Sequence, residues 1–464
     1  MELSALRSRI AGTVVENGAP DYPKVRDAMV WNGLKPARSP DVIVRVKSAA
    51  DVATAMEFAR ANRMKVAVRG GGHSWCGLPL RVAGVLIDLS ALDEITVDAA
   101  NCTGTVQPHL SNRDVIRALT PYGLAFPVGH CPTVKASGFL LSGGIGWNSH
   151  LWGPACLSVI GIDLVMADGR QLHASATENP DLFWAARGGG AGFFAVATRY
   201  HLKLYKLPAT IRSSTFYYPI TSLAELGSWL DAISPRLDRS VELSAFLVSA
   251  PPELSEACRP NGGKVCMVTA NAFVETEAAA HAALQPLADG LLEAGCLARR
   301  IEEPTPFETL FALSGSLWPE GLRYHAELMW SHRSVADILV ALRDHFVAAP
   351  SPETVILFAL YGGWRNGLPD RAAQAFSTVA PVYGGVWTAW HAAADDGLNT
   401  DWHRRTVELL KPFTVGHYLG ETDIVAHPEH AAASFAPESY ARLMQLRDRY
   451  DPDHLFHGLA DGLG

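Results

Sequence analysis

Nowhere in the 464 residues is there an unbroken apolar run of the ~18 needed for a membrane-crossing helix, so no membrane partner is expected. The opening stretch, MELSALRSRIAGTVVENGAP, has no apolar core after its charges; no signal peptide is read there, and a cytoplasmic location is expected. Positive charge is in short supply. There are 39 Lys and Arg against 47 Asp and Glu, a net charge of −8, which argues against nucleic acid or an anionic surface as partner. Cysteines number seven, odd and scattered, with no C-x-x-C pair, so neither a disulfide framework nor a zinc ribbon is expected. Cys258 and Cys266 are placed to meet across a hairpin, but two reduced thiols are the expected state. His427 with His430, and His454 with His457, have the spacing of one helical face. No carboxylate or cysteine pattern beside them completes a ligand set, so they read as surface histidines and no metal is expected. Internal repeats and low-complexity linkers are also missing.

What the chain does have is the composition of a globular enzyme: 48% hydrophobic and 19% charged residues, and length for two or three domains. Residues 42–174 alternate short strands and helices. DVIVRV reads as a strand, and Ser48 as the cap of a helix with Val52, Ala55, Met56 and Ala59 on one face and Asp51 completing a capping-box-like start. KVAVR is the next strand. GVLIDLS and EITVD read as strands around a turn, and VIGIDLVMADGRQLHAS as a hairpin turning at Ala-Asp-Gly-Arg. ENPDLFWAARGGG reads as a short helix with Pro180 in its first turn. After Pro208 the segments lengthen. STFYYPI, VELSAFLVS, KVCMVTANAF, RYHAELMWS, TVILFALYGG and GGVWTAWHA read as strands of one large antiparallel sheet. TEAAAHAALQPLADGLLEAG and SVADILVALRDHF read as its covering helices. Trp364, Trp387 and Trp390 are candidates for an aromatic substrate wall, against the plainer reading of sheet packing.

Three glycine clusters carry the chemistry. In VAVRGGGHSWCG a strand ends in Arg69, Gly70, Gly71 and Gly72, followed by His73 and Ser74. Consecutive glycines let backbone N–H groups converge on an anion, as a phosphorylated cofactor requires. The rival reading is a serine-hydrolase elbow at Ser74, but Cys76 stands where that motif needs glycine and no helix start follows. SGGIGW at 142–147 is the second cluster. The third, RGGGAGF at 187–193, imitates a dinucleotide fingerprint but follows a helix instead of a strand.

RGGGHS, GHCPTVKASGFLLSGGIGW, LVMADGRQLHASATENPDLFWAARGGG and YDPDHLF occur in that order. In this the sequence resembles the berberine-bridge-enzyme-like FAD-linked oxidases, of the vanillyl-alcohol-oxidase type. The resemblance is strong over roughly 40–205 and in the last fifty residues, and architectural between. It implies bicovalently bound FAD, with His73 on the flavin 8α-methyl and Cys131 on C6. It also implies cofactor contacts at Arg69, Gly70, Gly71, Gly72, Ser74, Thr133, Val134, Gly138, Gly143, Gly144, Gly146, Val196 and Tyr418. Valine at 134, three residues after the tethering cysteine, is the residue that in relatives goes with oxygen access and oxidase behaviour. Departures from the family pattern are Lys135 for glycine, Phe139 for histidine, and GFFAVAT for N-F-G-V-V-T. Plant relatives carry YLNYRD with a tyrosine base; here YLGETD puts Glu421 at that position, three residues after Tyr418. A carboxylate can serve as general base, so Glu421 and Tyr418 are the catalytic candidates.

The expectation is therefore an α+β flavoprotein. Residues 1–205 form a PCMH-type FAD domain of two small α/β subdomains, 206–414 a substrate domain with a large antiparallel sheet, and 415–464 a return to the FAD domain. The expected reaction moves hydride from a C–H of a hydroxylated small molecule to flavin N5, with O2 as acceptor and hydrogen peroxide as product. An oxygen-independent dehydrogenase, and amine oxidation or oxidative cyclisation, are the alternatives. Monomer and homodimer both remain open.

Overall fold

The computed structural model describes residues 2–289, 295–364 and 371–463; the last part of the helix read through residue 295 lies outside them. The first half of the chain makes two small sheets. One has the order Thr13–Glu16, Val42–Arg45, Val85–Asp88, Val66–Arg69, and its last three strands are parallel. The helix Ala49–Ala61 begins where the Ser48 hydroxyl accepts the Asp51 N–H, as expected. The Asp51 carboxylate does not close the box on Ser48. It accepts the N–H groups of Ala11, Gly12 and Lys47 instead, fastening the N-terminal segment to the helix start.

The second sheet is antiparallel, ordered Ile95–Asp98, Thr103–Val106, Ala195–Lys203, Val159–Met166, Gln171–Ser175. GVLIDLS and EITVD are both strands, but they do not pair around a turn. Val85–Asp88 is buried throughout and sits in the parallel sheet, whereas Ile95–Asp98 alternates in burial and edges the antiparallel one. A continuous apolar run suits a strand covered on both faces, and an alternating run suits one covered on a single face.

Beyond Lys206 the six long strands expected after Pro208 join in one eight-stranded sheet, completed by Ala298–Pro304 and Gly416–His417. Residues of one parity on these strands, such as Phe216, Leu243, Ala245, Val268, Ala270, Ile356 and Phe358, pack under the helices Leu223–Ile233, Val335–Val347 and Asp396–Leu410. The opposite face is left for the first half of the chain to cover. After His417 the chain leaves the sheet and returns: Phe456 bridges to Val66, and Arg442 on the helix Pro437–Tyr450 pairs with Asp181.

Candidate active site

The parallel strand Val66–Arg69 delivers the first glycine loop at its carboxyl end, where open α/β sheets bind ligands. Gly72 has φ +74°, and a Cβ there would lie 2.2 Å from the Met29 carbonyl oxygen, so only glycine fits. Arg69 points away from the loop's front. It pairs with Asp88 at 3.0 Å and donates to the Gly71 carbonyl, bracing the loop from behind. His73 stacks on Trp31 at 4.7 Å. Its Nε2 lies 3.0 Å from Thr133 Oγ1, and Cys131 Sγ lies 3.5 Å from that same oxygen. Residues sixty positions apart are thus brought to one point. Burial, with Lys135 and Arg69 nearby, lowers the His73 pKa to about 3, which keeps the imidazole neutral. Burial pushes the Cys131 thiol up.

Ser74 and Cys76 do not form a hydrolase elbow. No helix follows them, and the Ser74 hydroxyl is engaged by Cys76 Sγ and the Leu78 N–H.

A cavity of about 640 Å³ opens in front of these loops. Gly70, Gly71, Gly72, His73, Ser74, Cys131, Val134, Gly138, Trp387, Tyr418 and Glu421 all line it, as do the departing residues Lys135 and Phe139. Several expected contacts stand back from it. Gly143, Gly144 and Gly146 do not line the cavity: the Gly144 N–H donates to the Tyr418 hydroxyl at 3.0 Å, and a Cβ on Gly146 would meet the Val128 carbonyl oxygen at 2.1 Å. These glycines hold the loop in place from behind. Thr133 bridges His73 and Cys131 from outside the lining. The Val196 side chain is fully buried in the core, and the alanines on either side of it, Ala195 and Ala197, line the cavity. Alternation along a strand makes a one-residue shift equal to a change of face.

The inner face of the large sheet forms the opposite wall in cross-strand rows. Ser213, Asn271 and Glu242 make one row; Thr215, Thr269, Ser244, Ala359 and Tyr383 the next; Tyr217, Met267, Phe246 and Leu357 a third. The rows run from charged and amide groups, through hydroxyls, to apolar side chains. Of the tryptophans, Trp387 lines the cavity with Trp318 edge-on at 5.2 Å. Trp364 is stacked flat on Tyr361 and buried outside the lining. Trp390 is also buried away from it, its indole N–H donating to Asp396 at 2.7 Å.

Glu421 sits in a turn, its N–H bonded to the Tyr418 carbonyl, yet its carboxyl lines the cavity and accepts the Tyr383 hydroxyl at 3.0 Å. Burial raises its pKa to about 7, against the opposing effects of Tyr383 and His130. Two cavity groups had no place in the sequence reading. His130 Nε2 lies 2.6 Å from Glu242 Oε1, and Glu242 also accepts the Asn148 N–H. Burial disfavours charge on His130, but Glu242 and then Glu421 outweigh it and push its pKa up. An acid inside the apolar stretch VELSAFLV was the available signal. His457 is not a surface histidine: it is buried, lines the cavity beside Arg81, and neither ring nitrogen has a hydrogen-bond partner among the described residues. Burial, then Arg81, holds its pKa near 4. His430 is largely buried as well, and only His454 is exposed.

The cavity is continuous from His457 and Arg81, past the glycine loops, to the sheet face. An unpaired buried imidazole at one end, pliable backbone N–H groups in the middle and two nucleophilic side chains near the sheet fit a long, anionic, ring-bearing cofactor such as FAD.

Comparison with known proteins agrees. The model of the FAD binding domain family matches residues 40–175. The (R)-6-hydroxynicotine oxidase of Paenarthrobacter nicotinovorans is 33% identical over 447 residues, 92% of each chain. FAD-linked oxidoreductase ptmO of Penicillium ochrochloron is 27% identical over 438 residues, 94% of this chain and 93% of that one. Among solved structures, 6-hydroxy-D-nicotine oxidase from Arthrobacter nicotinovorans superposes with a TM-score of 0.83 at 22% identity, covering 98% of each chain. Berberine bridge enzyme from Eschscholzia californica gives 0.82 at 20% identity, covering 99% of this chain and 98% of that one. Fold, cavity and relatives lead to one family: the chain belongs to the berberine-bridge-enzyme-like FAD-linked oxidoreductases.

Proposed function

We propose that the enzyme is an oxidase that removes hydride from a C–H of a small hydroxylated molecule, a sugar, alcohol or secondary metabolite, with O2 as final acceptor and hydrogen peroxide as product. FAD, when bound, supplies the hydride acceptor at N5. Residues 1–205 and 415–464 make the FAD-holding part of this scheme, and 206–414 the substrate part. His73 and Cys131 are its tethers, at the 8α and C6 positions. Their convergence on Thr133 supports that role, as does the neutral His73 imidazole. Cys131, partly buried with its thiol pushed up, would hold the flavin at C6.

One observation carries the reading: Glu421, with a pKa of about 7, faces the cavity beside the Tyr383 hydroxyl. A carboxylate so poised is ionised about half the time at neutral pH and takes a proton from a substrate O–H effectively. Tyr418 fixes its approach, since its hydroxyl is anchored on the Gly144 N–H. The polar rows of the sheet bind the substrate's hydroxyls, the apolar row excludes water, and Val134 borders the path for oxygen. A second reading is amine oxidation, favoured by the acidic Glu242 on the cavity wall and by the similarity to an oxidase of 6-hydroxynicotine.

The test is anaerobic mixing with hydroxylated and amine libraries, scored by flavin bleaching, followed by admission of air. Bleaching by a hydroxylated compound, with colour and peroxide returning in air, is expected. Colour that stays bleached in air identifies a dehydrogenase instead, and bleaching by amines alone establishes the second reading.

A further inference from the structure

Among the described residues, three trios of one carboxylate and two histidines stand outside the cavity lining; the third, His427, Glu429 and His430, shares His430 with the second and has an exposed carboxylate, and the first two differ in one respect. On the five-stranded sheet, His173 Nδ1 and His201 Nε2 lie 2.8 and 3.1 Å from Asp163 Oδ1, and both are well-directed hydrogen bonds. That trio is satisfied within itself. Behind Glu421, His417 Nδ1 and His430 Nδ1 lie 2.7 and 3.3 Å from Glu327 Oε1. The distances are as short, yet neither Nδ1 has a well-directed hydrogen bond among the described residues, and both atoms are buried. The carboxylate oxygen is close but off the direction in which either ring nitrogen points. The two rings lie face to face at 3.7 Å. Glu327 and His417 are only 2% and 8% exposed.

Two imidazole nitrogens and a carboxylate oxygen crowded together in a buried place, with no well-directed hydrogen bond between them, are a ligand set that one ion can share. We infer that Glu327 Oε1, His417 Nδ1 and His430 Nδ1 bind one divalent ion of the zinc class. Two imidazoles and one carboxylate suit zinc and its neighbours rather than calcium or magnesium, which take oxygen ligands. The three atoms lie within 4.8 Å of one another, and His430 retains enough exposure for a water to complete a tetrahedron. Thr422 Oγ1 and the Asp423 N–H bond to the Glu327 carboxylate at 2.5 and 3.2 Å. These are the two residues after Glu421. The ion therefore ties together the strand Arg323–Ser331, the end of the sheet and the turn that carries the candidate base, in the outer-shell manner that orients functional groups. Its role is structural, and no chemistry passes through it.

The test uses tag-free, full-length, flavin-loaded protein, stripped with chelator and titrated calorimetrically with Zn2+, with metal content measured by mass spectrometry. One Zn2+ per chain is expected, weakened about 100-fold or more in His430→Ala and in Glu327→Gln, and retained in His173→Ala. Flavin absorbance checks that each variant folds. Zinc-edge X-ray absorption on the unaltered protein, expected to show two imidazole ligands, decides the matter should a variant misfold. Absence of binding, binding unchanged in both site variants, or loss in His173→Ala overturns the inference.

Discussion

The two walls of the cavity are built by opposite means. One is made of loops, in which glycines bring the backbone close and two side chains, His73 and Cys131, reach a common point at Thr133 from distant parts of the chain. The other is a sheet, in which every second residue of five strands faces inward and the remainder lock under helices. The loop wall uses main chain and at Gly72 is intolerant of a single Cβ; the sheet wall uses side chains and is tolerant along one parity. A wall of the first kind suits a cofactor that never changes. A wall of the second suits a substrate that does.

The largest expected effect lies on the loop wall. Replacing both His73 and Cys131 by alanine should release all flavin into the supernatant on acid precipitation, while either single replacement keeps it in the pellet. Free flavin from the unaltered protein would remove the covalent role from this wall. On the opposing side, Glu421→Gln should slow anaerobic flavin reduction ~10²–10⁴-fold with flavin content unchanged. A variant within a factor of about three of the parent returns Glu421 to an ordinary turn residue. Because the ionised form is the active one, the parent's reduction rate should climb as pH rises through about 7.

Tyr383→Phe is expected to cost about tenfold and to move that rise to higher pH, since Tyr383 is a donor that favours the Glu421 carboxylate. An unmoved profile detaches Tyr383 from the base. Val134→Leu should slow reoxidation by air several-fold more than it slows reduction; equal slowing means that the residue acts through packing. The smallest effect concerns stability. A carboxyl whose folded pKa is raised loses stability as pH climbs from its ordinary value towards 7, and glutamine copies the protonated form. Glu421→Gln should therefore melt about 2–4 °C above the parent at pH 8 and together with it near pH 4.

What could be seen in the sequence follows the same division. The loop wall shows itself as motif, because a glycine forced by a nearby carbonyl, such as Gly72, allows no synonym. The long strands also show, each with its own alternation. Which strands are neighbours does not, since pairing is decided between distant segments: Val85–Asp88 and Ile95–Asp98 are consecutive yet belong to different sheets. Parity fails in the same way. Trp387 lines the cavity while Trp390 is turned to Asp396, and Val196 is buried between two alanines that line it. His130 and Glu242 are 112 residues apart, and no local pattern announces that they touch. Glu327, His417 and His430 stayed hidden because the carboxylate comes from a strand far upstream of both histidines.

The alternation of the large sheet has an evolutionary consequence. Positions 213, 215 and 217 face the cavity, while Phe216 and Tyr218, of the opposite parity, belong to the helix-covered core. Mutation at the first set can redraw what the enzyme accepts without disturbing what keeps it folded, so specificity and stability descend along separate sets of codons. Lineages sharing this scaffold can diverge in diet while conserving its interior. A laboratory library limited to the inward positions of the strands should yield mostly folded proteins, whereas one of equal size on the alternate positions should yield mostly insoluble ones.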